Sequence, residues 1–375
     1  MRTFLFGLLL ILCGCSTKTS EQSDMPLNEY GNQGYVISCH PRHYICYRTT
    51  ETLTIDGRAD ELSWQRLPWS IDFVDILGDH FPKPHYLTRA KMMWDDDYVY
   101  FVAEMKEPHL RALYDTERID EENSFNILID VDGNTHHYQE LVVNASGTTQ
   151  VRTFEHPNGQ PELWSKGKSS QVGIMVHREG TLNDPSDQDH YWSLEVAFPI
   201  SLLTEGYDSL VPRRSVQWRV NFARTYWNFL VVDGFYKREI NSATGQFYPA
   251  EKWVWSPIGQ MDLYMPELWG IVQFSEIVAG QGRDTFVDDP DEDLKWELRN
   301  IYYAQQRYFD ENSRFAKRFG QLKTVGFIPG ALRFKPQMDG DQSSFTIEAK
   351  SVDKKRVWKL NDQGMIWMET VVSMK

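Results

Sequence analysis

Lys91-Met92-Met93-Trp94-Asp95-Asp96-Asp97-Tyr98-Val99-Tyr100, continuing to Met105, decides the fold. Two apolar, aromatic-rich runs flank an acidic turn, which is the pattern of a β-hairpin. The same period of two recurs on both sides of it. Phe125, Ile127 and Ile129 alternate with Ser124, Asn126 and Asp130; Trp192, Leu194, Val196 and Phe198 alternate with Tyr191, Ser193 and Glu195. Val216, Trp218, Val220 and Phe222 alternate with Gln217, Arg219 and Asn221. Strands with one apolar face, separated by Gly, Pro, Asn and Asp, predict two stacked antiparallel sheets: a mainly β sandwich. No long helical period interrupts this region before Phe274.

Upstream, Met1-Arg2-Thr3 precedes an apolar run from Phe4 to Leu12 and then Cys13-Gly14-Cys15. A positive residue before a short apolar run is a secretory signal, and the run falls short of the roughly 20 residues a spanning helix needs. Leu12-Cys13-Gly14-Cys15 resembles a lipobox, which implies cleavage before Cys15 and its lipidation. Ser16 to Asn32 is polar and cannot bury a core, so it is expected to act as a tether. Only Cys39 and Cys46 remain as cysteines, and in an oxidising compartment a short disulfide-closed loop is expected. The formal charge of −14 argues against a nucleic-acid partner. Aromatics make up 14% of residues, a composition that suits both sandwich cores and sugar rings.

A resemblance then becomes specific. Ile55-Asp56-Gly57-Arg58-Ala59-Asp60-Glu61-Leu62-Ser63-Trp64 is similar to the opening I-D-G-x-x-D-E-x-x-W of family 9 carbohydrate-binding modules. The hairpin at Lys91–Tyr100 resembles their V-L-W-D-x-x-Y-L-Y block, and Asn123–Asp130 their D-S-V-E-I-F-I-D block. Pro266-Glu267-Leu268-Trp269-Gly270 resembles the P-x-x-F/W-G that opens their last strand. The blocks occur in family order and span about residues 45–275. They imply a glycan ligand gripped by two tryptophans and by polar side chains.

Placed by these motifs, the first clamp position falls at Ile119 or Asp120, which are not aromatic, and the second at Leu263 or Tyr264. The acidic partner falls on Asn126 and the amide partner on Asn221. The basic partner falls near Val142, with Glu140 and Asn144 on the same strand face. Other aromatics that could stack a sugar are Trp94, Trp227 and Trp255. Arg224 lies on the apolar parity of its strand, so it is expected either to pair with Glu104 or Glu140 or to touch the ligand. Asp130-Val131-Asp132-Gly133-Asn134 is either a plain β-turn or a calcium loop held by Asp130 and Asp132. The resemblance allows for structural calcium, and no other cofactor is expected.

Past the sandwich, a linker leads to Asp291-Glu292-Asp293, acidic residues suited to a helix start. Leu294, Leu298, Ile301, Tyr302, Gln305, Tyr308 and Phe309 mark one helical face, with the helix running towards Phe319 and Gly320. Phe345–Ala349, Arg356–Leu360 and Met365–Met368 read as short strands. The expected organisation is a signal peptide (1–14), a lipidated cysteine and tether (15–44), a sandwich (45–277), a linker (278–290) and a helix-plus-hairpin appendage (291–375).

The expected function is non-catalytic glycan binding by a lipid-anchored envelope protein, in polysaccharide utilisation at the outer membrane, with the periplasmic or surface face left open. One alternative is a structural or partner-docking lipoprotein, with the appendage contacting another envelope protein. A glycoside hydrolase is the third reading. It lacks a phosphate loop, a nucleophile elbow, an HExxH motif and room for a barrel.

Overall fold

A computed structural model describes residues 41–157, 159–205 and 207–370. Cys15 and Cys39 lie outside the described residues. The body contains β1 (His43–Arg48), β2 (Val74–Asp75), β3 (Thr88–Trp94), β4 (Tyr98–Lys106), β5 (Ser124–Asp130), β6 (Tyr138–Asn144), β7 (Thr149–Phe154) and β8 (Glu162–Leu163). It continues with β9 (Gly173–Glu179), β10 (Tyr191–Pro199), β11 (Gln217–Tyr226), β12 (Phe229–Val232), β13 (Phe235–Arg238), β14 (Glu251–Val254) and β15 (Gly270–Val278).

The strands order as β8-β7-β6-β5-β11-β15-β1-β3-β4-β10-β9. The two expected layers are therefore one sheet curled on itself. β1 makes the join: His43–Tyr47 pair in parallel with β15, while Tyr47 and Arg48 pair in parallel with β3. These are the parallel ladders in an otherwise antiparallel sheet. Between the layers lie Phe101, Phe125, Ile127, Leu194, Val196, Phe222 and Phe274. The alternation read from the sequence thus assigns the inward face correctly. Cys46 is fully buried in this core, and burial pushes its thiol pKa well up.

The outer faces are not open to solvent, as one-sided alternation suggests. On the β3-β4-β10 side, the Ile55–Trp64 stretch forms a lid. Trp64 is fully buried, its Nε1 donating to Glu195 Oε1 at 2.9 Å, and Asp56 N donates to Glu195 Oε2 at 3.1 Å. Gly57 has φ +91°, and a Cβ there would stand 2.5 Å from the His177 backbone nitrogen. Only glycine lets the lid lie this close. On the β5-β6-β11 side, the 255–269 stretch covers the sheet, while β14 and β2 extend it beside β11. Ile76, Leu128, Tyr138, Phe154, Val254, Leu263 and Trp269 form a second core there.

The appendage is a helix (Glu292–Asn312) packed on β16 (Gln337–Gly340), β17 (Phe345–Lys350), β18 (Arg356–Asn361) and β19 (Ile366–Thr370). Leu294, Leu298, Ile301 and Tyr308 meet Phe345, Ile347, Leu360 and Ile366. The helix stops well before Gly320, because Ser313 turns left-handed at φ 53° and returns its N–H to Phe309 O at 2.7 Å. This turn brings Phe315 back into the small core. β16 has no apolar alternation, so its sequence did not mark it. The appendage docks on the sandwich through Arg219–Glu292, a bond from Tyr303 to Glu267, and Thr135 Oγ1 to Gly364 O at 3.0 Å.

Candidate functional site

The outer faces of β5, β6, β7, β11 and β14 bring one set of polar side chains together. Antiparallel register sets Glu140 of β6 opposite Arg152 of β7, and Thr225 of β11 opposite Lys252 of β14. Arg152 Nε stands 2.8 Å from Glu140 Oε2. The same guanidinium grips Asp120 at 2.7 and 3.1 Å. Asn126 Nδ2 donates to Glu140 Oε1 at 2.7 Å, and the Tyr264 hydroxyl to Glu140 Oε2 at 3.2 Å. Lys252 Nζ reaches Thr225 Oγ1 at 3.3 Å.

Access grades across this cluster. Glu140 is fully buried, the Arg152 side chain is 7% exposed and the Asp120 side chain is 60% exposed. Burial raises the Glu140 pKa, against the opposing pull of Arg152. Burial lowers that of Lys252, and burial with Glu140 raises that of the Tyr264 phenol. Two buried acceptors, Asn126 Oδ1 and Gln150 Oε1, have no hydrogen-bond partner among the described residues. The result is a partly unmet polar cluster, the slot, whose contacts run from the exposed Asp120 carboxylate through Arg152 and Glu140 to the Tyr264 hydroxyl. The Tyr264 ring rests on Phe154, with centroids 4.6 Å apart.

Such a slot suits hydroxyl recognition. A sugar hydroxyl can donate to one unmet oxygen and accept from a neighbouring cation. The geometry does not suit hydrolysis. Both carboxylates are held by the one guanidinium, whereas glycosidic cleavage needs two acting separately across the bond.

The candidates read from the sequence divide. Asn126, Glu140 and Tyr264 meet in the slot. Asn221 is fully buried and satisfied: its Nδ2 donates to Ser256 O and its Oδ1 accepts from Ser256 N, both at 2.9 Å. It fastens the covering loop. Asn144 caps a turn, accepting from Ser146 N and Thr148 N at 3.0 Å, and donates to Glu122 at 3.0 Å. Trp94 and Trp255 are core residues, 3% and 2% exposed. Their rings pack between the layers and offer no face to a ligand. Trp227 is half-buried, and the Arg238 guanidinium lies over its ring at 4.0 Å.

Arg224 is 1% exposed, on the face opposite the slot. Its partner is neither Glu104 nor Glu140 but Glu107, at 2.7 Å. Glu104 instead pairs with Arg89 at 3.1 Å. Asp130 accepts from the backbone N–H groups of Gly133 and Thr135, both at 2.9 Å. Asp132 accepts from Asn134 N and Nδ2, so both carboxylates act as turn caps. Among the described residues no group of three or more His, Cys, Asp or Glu could hold a metal ion.

Sequence reasoning misses Arg152 and Lys252, and reaches Asp120 only as a clamp position without an aromatic ring. The motif places the basic partner on β6 near Val142, but strand register supplies it one strand further out. Its signal is weak: Arg152 sits on the outward parity of Thr149–Phe154, between Val151 and Phe154.

Residues 55–175 match the family described as "Carbohydrate family 9 binding domain-like". The chain is 32% identical over 90 residues to endo-1,4-beta-xylanase C of Paenibacillus barcinonensis, a match covering 24% of this chain and 8% of that enzyme. Among solved structures, a candidate carbohydrate-binding protein from Bacteroides uniformis aligns with a TM-score of 0.47 at 14% identity. That alignment covers 63% of this chain and all of the other. A family 9 carbohydrate-binding module from Caldicellulosiruptor kristjanssonii, in complex with cellotriose, aligns with a TM-score of 0.39 at 13% identity, over 66% of this chain and 100% of the module. The matched family is one of binding rather than catalytic domains, and residues 55–175 of this mainly β body are similar to it.

Proposed function

We propose that the slot between Asp120 and Tyr264 binds a glycan without transforming it. The observation that carries this reading is the buried, unmet Asn126 Oδ1 beside the Glu140–Arg152 pair. A buried acceptor without a partner is costly in the free protein, and an incoming hydroxyl relieves that cost. Lys252 and Asp120 supply a donor and an acceptor at the margin, and the Tyr264 ring supplies the apolar face. The cysteine-terminated signal at Cys15 supports a lipid-anchored protein of the envelope, at the outer membrane. Glycan capture there fits a role in polysaccharide utilisation.

One phenol, already backed by Phe154, offers less stacking area than a pair of indoles, at roughly 25 cal/mol per Å². Affinity is therefore expected at about 0.1–1 mM for a single sugar unit. The test is a glycan array followed by calorimetry on wild type and Tyr264→Ala. Loss of about tenfold or more in Tyr264→Ala supports the slot. Binding that survives Tyr264→Ala but is abolished by Trp227→Ala would move the site to the Trp227–Arg238 surface. Absence of binding to any glycan would leave the structural reading.

A further inference from the structure

Tyr264 borders a second space. Where the long helix docks on the sandwich there is a cleft of 740 Å³. Gln260, Met261, Asp262 and Tyr264 line it from the covering loop, and Tyr302 and Gln306 line it from the helix. The Tyr302 and Tyr303 rings lie 5.5 Å apart at 58°, so the helix contributes an aromatic corner as well as an amide. Gly364 closes one end: a Cβ there would stand 3.1 Å from the Tyr302 hydroxyl.

The floor of the cleft is polar and incompletely paired. Glu267, 8% exposed, accepts from the Tyr303 hydroxyl through one oxygen, while Oε2 has no partner among the described residues. Arg299, 2% exposed, has Nε and Nη1 without a hydrogen-bond partner among the described residues. Unmet donors and an unmet acceptor together in one recess suit a ligand that can both donate and accept, as hydroxyls do. The formal charges are set by Asp262, Glu267 and Asp310 against Arg299. That excess of carboxylates disfavours a uronic acid and favours a neutral chain.

We propose that this seam is a second subsite, which takes the next units of a neutral oligosaccharide whose terminal unit occupies the slot. The appended helix is then part of the binding surface. The proposal rests on the slot reading, and Tyr264 is the shared wall: its hydroxyl serves Glu140 on one side while the residue lines the cleft on the other.

The experiment is calorimetry with neutral oligosaccharides of increasing length, from one to six units of glucose, xylose or mannose, on the full folded chain. Wild type is expected to gain affinity with length up to about three or four units. Tyr302→Ala, with Gln260→Ala as an independent variant on the facing loop, should lower affinity for the longer chains about tenfold, towards the single-unit value. Unchanged binding of the single unit verifies that each variant is folded. Asn126→Ala should weaken every length. Length dependence that both seam variants leave intact overturns the seam proposal while the slot stands. Binding lost in Tyr302→Ala but indifferent to Asn126→Ala overturns the slot reading instead. A wild type that binds no length overturns both.

Discussion

The two faces of the β7-β6-β5-β11 part of the sheet each bury an arginine against a glutamate, and the two pairs differ in their surroundings. On the inner face, Arg224 gives Nη2 to Glu107 at 2.7 Å and to Lys106 O at 2.9 Å, and Nη1 to Thr88 Oγ1 at 3.0 Å. Trp253 and Tyr226 cover the guanidinium from 5.1 and 5.3 Å. The pair is shut off from solvent, at 1% and 3% exposure, so that even Arg224 Nε, which has no hydrogen-bond partner among the described residues, is out of a ligand's reach. On the outer face, Arg152 holds buried Glu140 but also reaches an exposed carboxylate, Asp120, and its neighbours Asn126 and Gln150 keep unmet oxygens. A buried charge by itself therefore does not mark a site. On the proposed reading, what distinguishes the outer pair is that it reaches solvent, through Asp120, with part of its surrounding hydrogen-bonding capacity unspent.

The largest effect that could break this comparison comes from the inner pair. Arg224→Met leaves Glu107 buried with only neutral donors such as Asn123 Nδ2, at 3.2 Å. Stability should fall by about 3–5 kcal/mol, read from urea denaturation. Pairing it with Glu107→Leu should restore most of the loss, since it removes the stranded charge. The folded fraction of Arg224→Met should bind glycan as wild type does. A matching loss of affinity would mean that the inner pair also serves the ligand.

The outer pair should respond the other way round. Arg152→Lys keeps the charge but cannot fork between Glu140 and Asp120. Glycan affinity should drop about tenfold, while unfolding shifts by only about 1 kcal/mol, comparable to one lost hydrogen bond. Calorimetry and denaturation on the same preparation check both halves. Stability that falls as far as in Arg224→Met, with affinity unchanged, would make Arg152 a purely structural residue.

The sequence carried the inner face well because one simple rule governs it. Phe125, Ile127 and Ile129 alternate, and a period of two leaves them no other place to go. Trp64 and Gly57 were legible through the resemblance, and their hydrogen bonds and close approach explain why that motif needs those residues. The outer face was less legible. Asn126, Glu140 and Tyr264 came from matching motifs, whereas Arg152 and Lys252 come from strand pairings that local patterning does not encode. Asn221 shows the converse error. It has the parity of a site residue, yet a loop 35 residues away in sequence folds over it and uses both ends of its amide. The tryptophans Trp94 and Trp255 misled for a related reason: aromatic residues serve cores and sugar platforms alike, and only burial separates the two uses.

The smallest expected effect sharpens the comparison with a third buried glutamate, on the outer face of the other layer. Glu195 is satisfied by neutral donors, Trp64 Nε1 and Asp56 N, and among the described residues has no arginine partner of the kind that Glu107 and Glu140 each have. Burial raises its pKa to about 7 from the ordinary 4.5, with those two hydrogen bonds only partly opposing the shift. A carboxyl that holds its proton more tightly folded than unfolded stabilises the fold at low pH and loses that contribution as pH rises. For Glu195 the loss runs from about 4.5 to about 7. Wild type should therefore lose ground to Glu195→Gln, which has no proton to release, as pH is raised through that window. The difference in Tm between the two proteins should change by only a few degrees, about 2–5 °C, between pH 4.5 and 8. A series of thermal melts checks it. A flat difference would mean that Trp64 and Asp56 hold Glu195 ionised throughout, so that neutral donors here do the work for which the slot and the inner pair each use an arginine.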